Sequence, residues 1–567
     1  MTSNYKKDSA KHVLLLVLPF WDPLIPPQGI SHLKSALIKN NYSVHTNDAN
    51  TKEDFKLFYN KYFRILSKWI PDNKKGNFYN IGHDVLRNHL MAHLNMQNED
   101  DYLELVRDII YKTFYTKLND GVLIEFKKII SKFFYDLDHY VEVLLNHYNP
   151  DYVGISVLRD TLASSVAVFN KVKKFNSNIK TFMGGSIFLD QLSPNNPNFE
   201  IFLNRVQSVD KIVIGKGQNL MLKILNDIDS DQRVYKFENL PEHIKNDDST
   251  DFPDLSDFDV TKEYPYIAAQ ASYGCPNLCS FCNVKSFSGR YRERSIAKVV
   301  SEMIKLSKKY NNKLFFMNDA LLNRIASNLT NEILKLDAHL YWDGYLRVSK
   351  EVCDYNNTIY WRKGGFYRAR LGVESGSQHV LDLMHKDITP EQTLKSLKSL
   401  SNAGIKTTTY WVIGHPDESD EDFQMTLDLL TEAKDYIYEA ECNPFIYSYD
   451  GQNNTVKWEN SRELLYKDEI KNTLLIKTWI YKGYPSRELI YNRVNQFVQK
   501  CNDLNIPNPY SIVEIYKADQ RWKNLHKNSV PSIIEIKDNL YQINEAKNVK
   551  NYQFISAKEI DFGEFDF

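Results

Sequence analysis

Residues 271–283 read Ala-Ser-Tyr-Gly-Cys-Pro-Asn-Leu-Cys-Ser-Phe-Cys-Asn and hold three of the chain's six cysteines, Cys275, Cys279 and Cys282, spaced C-x3-C-x2-C. Thiolate is a soft ligand that suits iron–sulfur clusters, zinc and copper(I). A [4Fe–4S] cluster ordinarily takes four cysteines, so three from one loop leave one iron open to a substrate or cofactor. Zinc in a structural site needs a fourth protein ligand. No cysteine or histidine follows Cys282 within reach of a short loop, which counts against zinc. Cys353, Cys442 and Cys501 are scattered and read as small packed hydrophobes.

The elements that must position this loop alternate between strand and helix. His12–Leu18 is a continuous apolar run, as a strand covered on both faces requires. It ends in a loop broken by Pro19, Pro23, Pro26 and Pro27. Gly29 opens a helix with Ile30, Leu33 and Leu37 on one face, stopped at Asn40-Asn41, and Tyr42–His45 is the next strand. The alternation returns with a strand at 151–157, a helix at 162–175 and a strand at 179–183 ending in Gly184-Gly185. A further strand at 209–214 ends in Gly215-Lys216-Gly217-Gln218 before a helix. This pattern implies a doubly wound sheet, in which ligands bind at the carboxyl ends of the strands. Glycine there lets a ligand approach the backbone, or simply makes a turn. Residues 1–50 and 149–235 are therefore assigned to one Rossmann-like domain.

Residues 51–148 carry helical spacing at 54–69, 101–115 and 123–145 and are assigned as a helical insertion. Its aromatic stripes form its own core, or a lid or docking surface. Proline and aspartate rise through 236–261, a linker. Residues 262–450 repeat strand–helix units, with strands at 313–317, 340–348, 368–373 and 407–413 and a sixth at 443–451. They predict a full or partial β/α barrel with polar residues at the strand carboxyl ends. The remainder, 451–567, reads as mainly helical, with helices at 462–479 and 488–504 and a charged helix end at 518–526. Tyr447, Tyr449 and Tyr516 are candidates for the substrate side or for aromatic packing.

A chain of 567 residues has room for about three or four domains. A hydrophobic fraction of 43% is that of a folded globular protein, and a net charge of −1 gives no pull toward nucleic acid or an anionic membrane. The apolar run at 13–18 follows Lys6, Lys7 and Lys11. It is too short for a signal peptide or for the ~20 residues of a spanning helix. Sparse cysteines fit a reducing compartment, so a cytoplasmic location is expected.

With Phe281 before the last cysteine, the loop resembles the signature of the radical S-adenosylmethionine (radical SAM) superfamily. The resemblance implies that Cys275, Cys279 and Cys282 ligate a [4Fe–4S] cluster, that S-adenosylmethionine chelates the fourth iron, and that Phe281 lies beside the adenine. Further stretches resemble the family in order. Asn318-Asp319 falls where the methionine amino group is bound, implicating Asp319. Glu374-Ser375 matches the strand contacting ribose and the methionine carboxylate. Ile413-Gly414, opening Ile-Gly-His-Pro-Asp-Glu-Ser, resembles the turn along the adenine, with Asp417 in place of a glycine.

A Rossmann-like domain ahead of such a barrel is similar to the cobalamin-binding branch of the superfamily. The Pro-Pro-x-Gly loop at 26–29 matches that arrangement, and the loops around Ser156, Gly184, Gly185, Gly215 and Gly217 would hold the corrin. Two departures stand out. No D-x-H-x-x-G motif lies in the first 250 residues, and Asp337-Ala-His339 is followed by Trp342 where glycine belongs. Lys216 stands where relatives usually carry acidic residues. The resemblance implies a cobalamin-dependent methyltransferase acting on an unactivated carbon of a natural-product intermediate or peptide. The same cofactors would also serve a rearrangement, ring contraction, cyclisation or crosslink, and a third reading is a non-catalytic cobalamin- or cluster-binding sensor. An external electron donor of the flavodoxin or ferredoxin type is implied. No protonating side chain is nameable from sequence.

Overall fold

The computed structural model describes residues 11–21, 23–241, 252–284, 289–449, 456–508 and 512–529. The expected linker residues 242–251, Gly451 and the tail 530–567 lie outside the described residues. Six parallel strands form the first sheet: β1 (His12–Val17), β2 (Ser43–Asp48), β3 (Tyr152–Ser156), β4 (Lys180–Gly184), β5 (Lys211–Ile214) and β6 (Val234–Lys236), in the order β2-β1-β3-β4-β5-β6. The order reverses between β1 and β3, which opens a crevice at their carboxyl ends.

The apolar run of β1 is split between two cores by the period of a strand. Leu14, Leu16 and Leu18 pack with the insertion's helices, whereas Val13, Leu15 and Val17 join a core continuous with the barrel. The insertion contains the expected helices at Glu53–Trp69, Glu99–Phe114 and Asp120–Tyr148. It also contains Phe78–Asn95, which the periodicity did not reveal. That helix buries Arg87, Asn88 and His89 alongside its leucines, and such polar residues dilute an apolar stripe.

After the short strand β7 (Ile267–Ala269) comes an antiparallel ribbon, β8 (Ser272–Tyr273) with β9 (Arg292–Glu293). The barrel continues through β10 (Leu314–Met317), β11 (Tyr341–Arg347), β12 (Phe366–Glu374), β13 (Lys406–Ile413) and β14 (Glu439–Pro444). With β7 these make an all-parallel six-stranded sheet in the order β14-β13-β12-β11-β10-β7, a partial barrel. The sixth strand thus lies earlier than the 443–451 expected. Its first residue, Glu439, is fully buried with Oε2 3.8 Å from Arg368 Nη1, so a residue that looks like surface is part of the interior.

Residues 462–479, expected to be helical, instead begin with β15 (Arg462–Leu464) and end at β16 (Trp479–Tyr481), paired antiparallel. The only α-helix between them is the single turn Lys471–Leu474, ended by Leu475 at φ 60°. The apolar residues that suggested a helix, Tyr466, Leu474, Leu475 and Ile476, pack against the insertion instead. The helices Arg487–Asp503 and Ile512–Leu525 follow. Among the described residues no helix is long and apolar enough to cross a membrane.

Charge fills the barrel interior. Arg368 and Arg370, two apart on β12, share the face that meets Asp343 of β11, at 2.7 Å and 3.1 Å. Asp343 is fully buried. Removing one partner of a buried pair leaves an uncompensated charge and costs about 3–5 kcal/mol. Asp343→Asn is therefore expected to lower unfolding free energy by that order in a chemical denaturation curve. A loss below about 1 kcal/mol would show that the two guanidiniums do not depend on it.

Candidate functional site

Among the described residues of the cysteine loop, 274–283 form no strand or α-helix, and the stem of the loop is the β8–β9 ribbon. Gly274, at φ 72°, starts the loop, and a side chain there would meet the Gly289 carbonyl at 2.7 Å. Asp319, buried just beyond β10, accepts from the Ala271 N–H at 3.1 Å and the Ser272 hydroxyl at 2.6 Å. The carboxylate assigned to a cofactor contact thus holds the loop's stem. Burial pushes it up to about 6 despite those bonds. Inside the loop, Ser280 donates its N–H to the Met384 carbonyl and its hydroxyl to the Leu383 carbonyl, both at 3.0 Å. It also lies 3.3 Å from Nε2 of the buried His415, whose pKa burial lowers to about 4.

Arg347, at the end of β11, points Nη1 at the Cys279 sulfur from 3.2 Å. The guanidinium thus anchors the loop's middle cysteine from the barrel side. Burial pushes the Cys282 thiol up to about 11, with Cys279 and Cys275 contributing, so the three sulfurs feel one another. Among the described residues no group of three His, Cys, Asp or Glu side chains is disposed to hold a single metal ion. The donor set, three thiols on one anchored loop with a cation at one sulfur, fits a cluster with an open iron.

The other predicted residues divide between lining and support. Glu374, at φ 69° on the end of β12, pairs with Lys386 at 2.8 Å, and the Lys386 ammonium lies 5.9 Å from the Phe281 ring. Ser375 is fully buried and its hydroxyl lies 3.1 Å from that of Thr426, so it joins β12 to the helix Asp420–Glu432. Ile413 is fully buried. Gly414, at φ 81°, donates its N–H to Glu418 at 2.9 Å, and a side chain there would strike Ile490 at 2.3 Å. Sequence reasoning missed Lys386, Ser280 and the anchoring role of Arg347. No motif marks them, because each acts across a long stretch of chain.

Ser156, Gly184, Gly185, Gly215 and Gly217 come together. They line one cavity of about 350 Å³ with Gln28 and Gly29 of the proline loop. The cavity sits at the carboxyl ends of the first sheet, where the strand order reverses, and its opposite wall is Ala269, Gln270, Tyr273 and Asn318 of the barrel. Its walls are mostly apolar and include Leu15, Phe182, Val213 and Met221. Gly185, at φ 115°, has no alternative, because a side chain would lie 2.3 Å from the Val157 carbonyl. Lys216, the unexpected cation, lies over the Tyr273 ring at 5.0 Å and ties this cavity's rim to the cysteine ribbon. His339 is exposed, ahead of β11, and is not among the cavity's lining residues.

Residues 270–430 match the family model of the Radical SAM superfamily. An uncharacterized methyltransferase of Pyrococcus horikoshii is 24% identical over 355 residues, 58% of this chain and 75% of that protein. The anaerobic magnesium-protoporphyrin IX monomethyl ester cyclase of Rubrivivax gelatinosus is 26% identical over 303 residues, about half of each chain (49% and 53%). In fold, the chain is similar to the radical S-adenosylmethionine methyltransferase TsrM of Kitasatospora setae, solved with cobalamin and a [4Fe–4S] cluster. That match has a TM-score of 0.56 at 13% identity and covers 94% of this chain and 100% of the other. TsrM with tryptophan and an S-adenosylmethionine analogue gives a TM-score of 0.58 at 12% identity, covering 94% and 98%.

Glu418 reports on how the Gly414 turn is held. Burial pushes its carboxyl up to about 7, against the pull of Arg493 2.8 Å away. A carboxyl that titrates higher folded than unfolded contributes stability at low pH and loses it as pH rises through the folded value. Because buried histidines such as His415 act in the opposite direction, the effect is read as a difference: relative to Glu418→Gln, the wild-type thermal midpoint is expected to fall as pH rises from about 5 to about 7. The difference between the two proteins should level off above that range. An unchanged slope in the variant would place the titration elsewhere.

Proposed function

We propose that this chain, an enzyme with a radical SAM domain, is a cobalamin-dependent methyltransferase acting on an unactivated carbon of a natural-product intermediate or peptide. The observation that carries the reading is the facing of two sites. The glycine-lined cavity at the sheet's carboxyl ends shares a wall with the ribbon from which the three cysteines project. When bound, the cluster with S-adenosylmethionine would supply a hydrogen-abstracting radical and cobalamin a methyl group.

Within this reading each residue has a task. Cys275, Cys279 and Cys282 hold the cluster, and Arg347 steadies negative charge on the Cys279 sulfur. Phe281, steadied by the Lys386–Glu374 pair, offers an aromatic face for adenine. The Gly414 turn gives backbone along the same ligand. Gly184, Gly185, Gly215 and Gly217 keep side chains out of the cavity, and Ser156 offers a hydroxyl at its edge. An external one-electron donor of the flavodoxin or ferredoxin type is required, and the setting is cytoplasmic.

The test is composition followed by product analysis. Anaerobically purified, reconstituted protein should hold about four irons, matching sulfide and one corrinoid. Cys279→Ala should lose the iron and keep the corrinoid. Incubation with S-adenosylmethionine and a reductant should release 5′-deoxyadenosine, and a substrate should gain a methyl group. A cluster without corrinoid uptake would overturn the methyltransferase reading in favour of cobalamin-free radical chemistry.

A further inference from the structure

A second cavity, of about 490 Å³, lies between the insertion helix Phe78–Asn95, the loop after β3, the open edge of the barrel and the helix Arg487–Asp503. Its volume is that of a small-molecule site. One end is basic. Asp84 stands among three guanidiniums, Arg159 at 2.8 Å, Arg87 at 3.1 Å and Arg487 further off, and together they hold its carboxyl below the usual range despite burial. Asp160 meets Arg87 only at 3.6 Å. That end gathers three guanidiniums around Asp84 and Asp160, with Asp190 acting on Arg159 from further off, and Arg370 and Glu441 line the barrel side.

The hydrogen-bond balance is what points to an anion. Arg87 is 5% exposed, yet its Nε and Nη1 make no hydrogen bond. The buried Arg159 Nε and Trp479 Nε1 make none either. Donors left this way in a buried site are costly unless a ligand supplies acceptors. Toward the barrel the walls are aromatic, with Tyr345, Tyr410, Phe445, Trp479 and Tyr481. Tyr447 lines this cavity as well, whereas Tyr449 and Tyr516 are not among its lining residues.

We propose that this cavity is the substrate site and that its substrate is an aromatic carboxylate, the ring against the barrel-side aromatics and the carboxylate on Arg87 and Arg159. A guanidinium fork matches a carboxylate in shape and charge, and a bound carboxylate supplies acceptors for the unfilled Arg87 and Arg159 donors. The inference rests on the function proposed above for its placement, since this cavity borders both the first sheet and the barrel.

The test is isothermal titration of the reconstituted protein with 3-phenylpropionate, 3-phenylpropylamine and 2-phenylethyl phosphate. Iron and corrinoid are measured on the same preparation, so a failed cofactor assignment is read separately from failed binding. The acid should bind, the amine should not, and the phosphate should bind more weakly than the acid. Arg87→Gln and Arg159→Gln should each weaken the acid by roughly tenfold or more. Arg159 is partly exposed and guards against a folding artefact at Arg87, with circular dichroism confirming the fold. No binding of the acid, equal binding of acid and amine, tighter binding of the phosphate, or acid affinity unchanged in the folded Arg159→Gln protein would overturn the proposal.

Discussion

Three sulfurs on a loop with little regular structure stay in place only if the loop is tied down from outside, and here successive barrel strands supply the ties. Asp319 beyond β10 holds the stem, and Arg347 on β11 meets the Cys279 sulfur. Glu374 on β12 sets Lys386 against Phe281, and His415 beyond β13 meets Ser280. Each tie comes from a carboxyl end. Parallel strands place those ends on one rim, so a single architecture delivers four anchors to one loop. Most of the anchors are buried and charged or polar, which makes them directional as well as strong.

The first sheet is joined to that rim by packing. Alternate residues of β1 enter two cores, one shared with the insertion and one shared with the barrel. The sheet therefore cannot move against the barrel without opening the apolar surface that the two share. The Lys216–Tyr273 contact adds a polar tie at the rim of the glycine-lined cavity. Residues of the expected linker also dock, with Lys34 held to Asp257 at 2.7 Å and to Asp254 at 3.6 Å.

The C-terminal region closes the far side. Arg493 reaches back to Glu418 and Asp420, and Ile490 packs where Gly414 lacks a side chain. Lys406 of β13 pairs with Asp519 at 2.7 Å, and Tyr438 donates to the same carboxylate. A partial barrel leaves an open edge, and this region together with the insertion covers it while enclosing the second cavity.

Much of the architecture was legible because its signals are local. An apolar run such as 13–18 reads as a covered strand wherever it sits, and C-x3-C-x2-C with an aromatic before the last cysteine identifies the loop without reference to distant residues. Glycines ending strands marked the first cavity's rim for the same reason. What local pattern could not carry was decided by partners far along the chain. Glu439 looks like surface until Arg368 is beside it. The helix Phe78–Asn95 has its stripe broken by buried polar residues whose partners lie elsewhere in the chain, as His89 meets Tyr62 and Tyr102. Tyr466 and the 474–476 run suggest a helix but pack as a looped hairpin against the insertion. The sequence by itself determined the spacing of the three cysteines and the alternation of strand and helix, since both are local patterns. Tertiary structure alone decided that Asp319 serves the loop and that Arg87, Arg159 and Arg487 share one pocket, because burial and long-range pairing set the state of a charge.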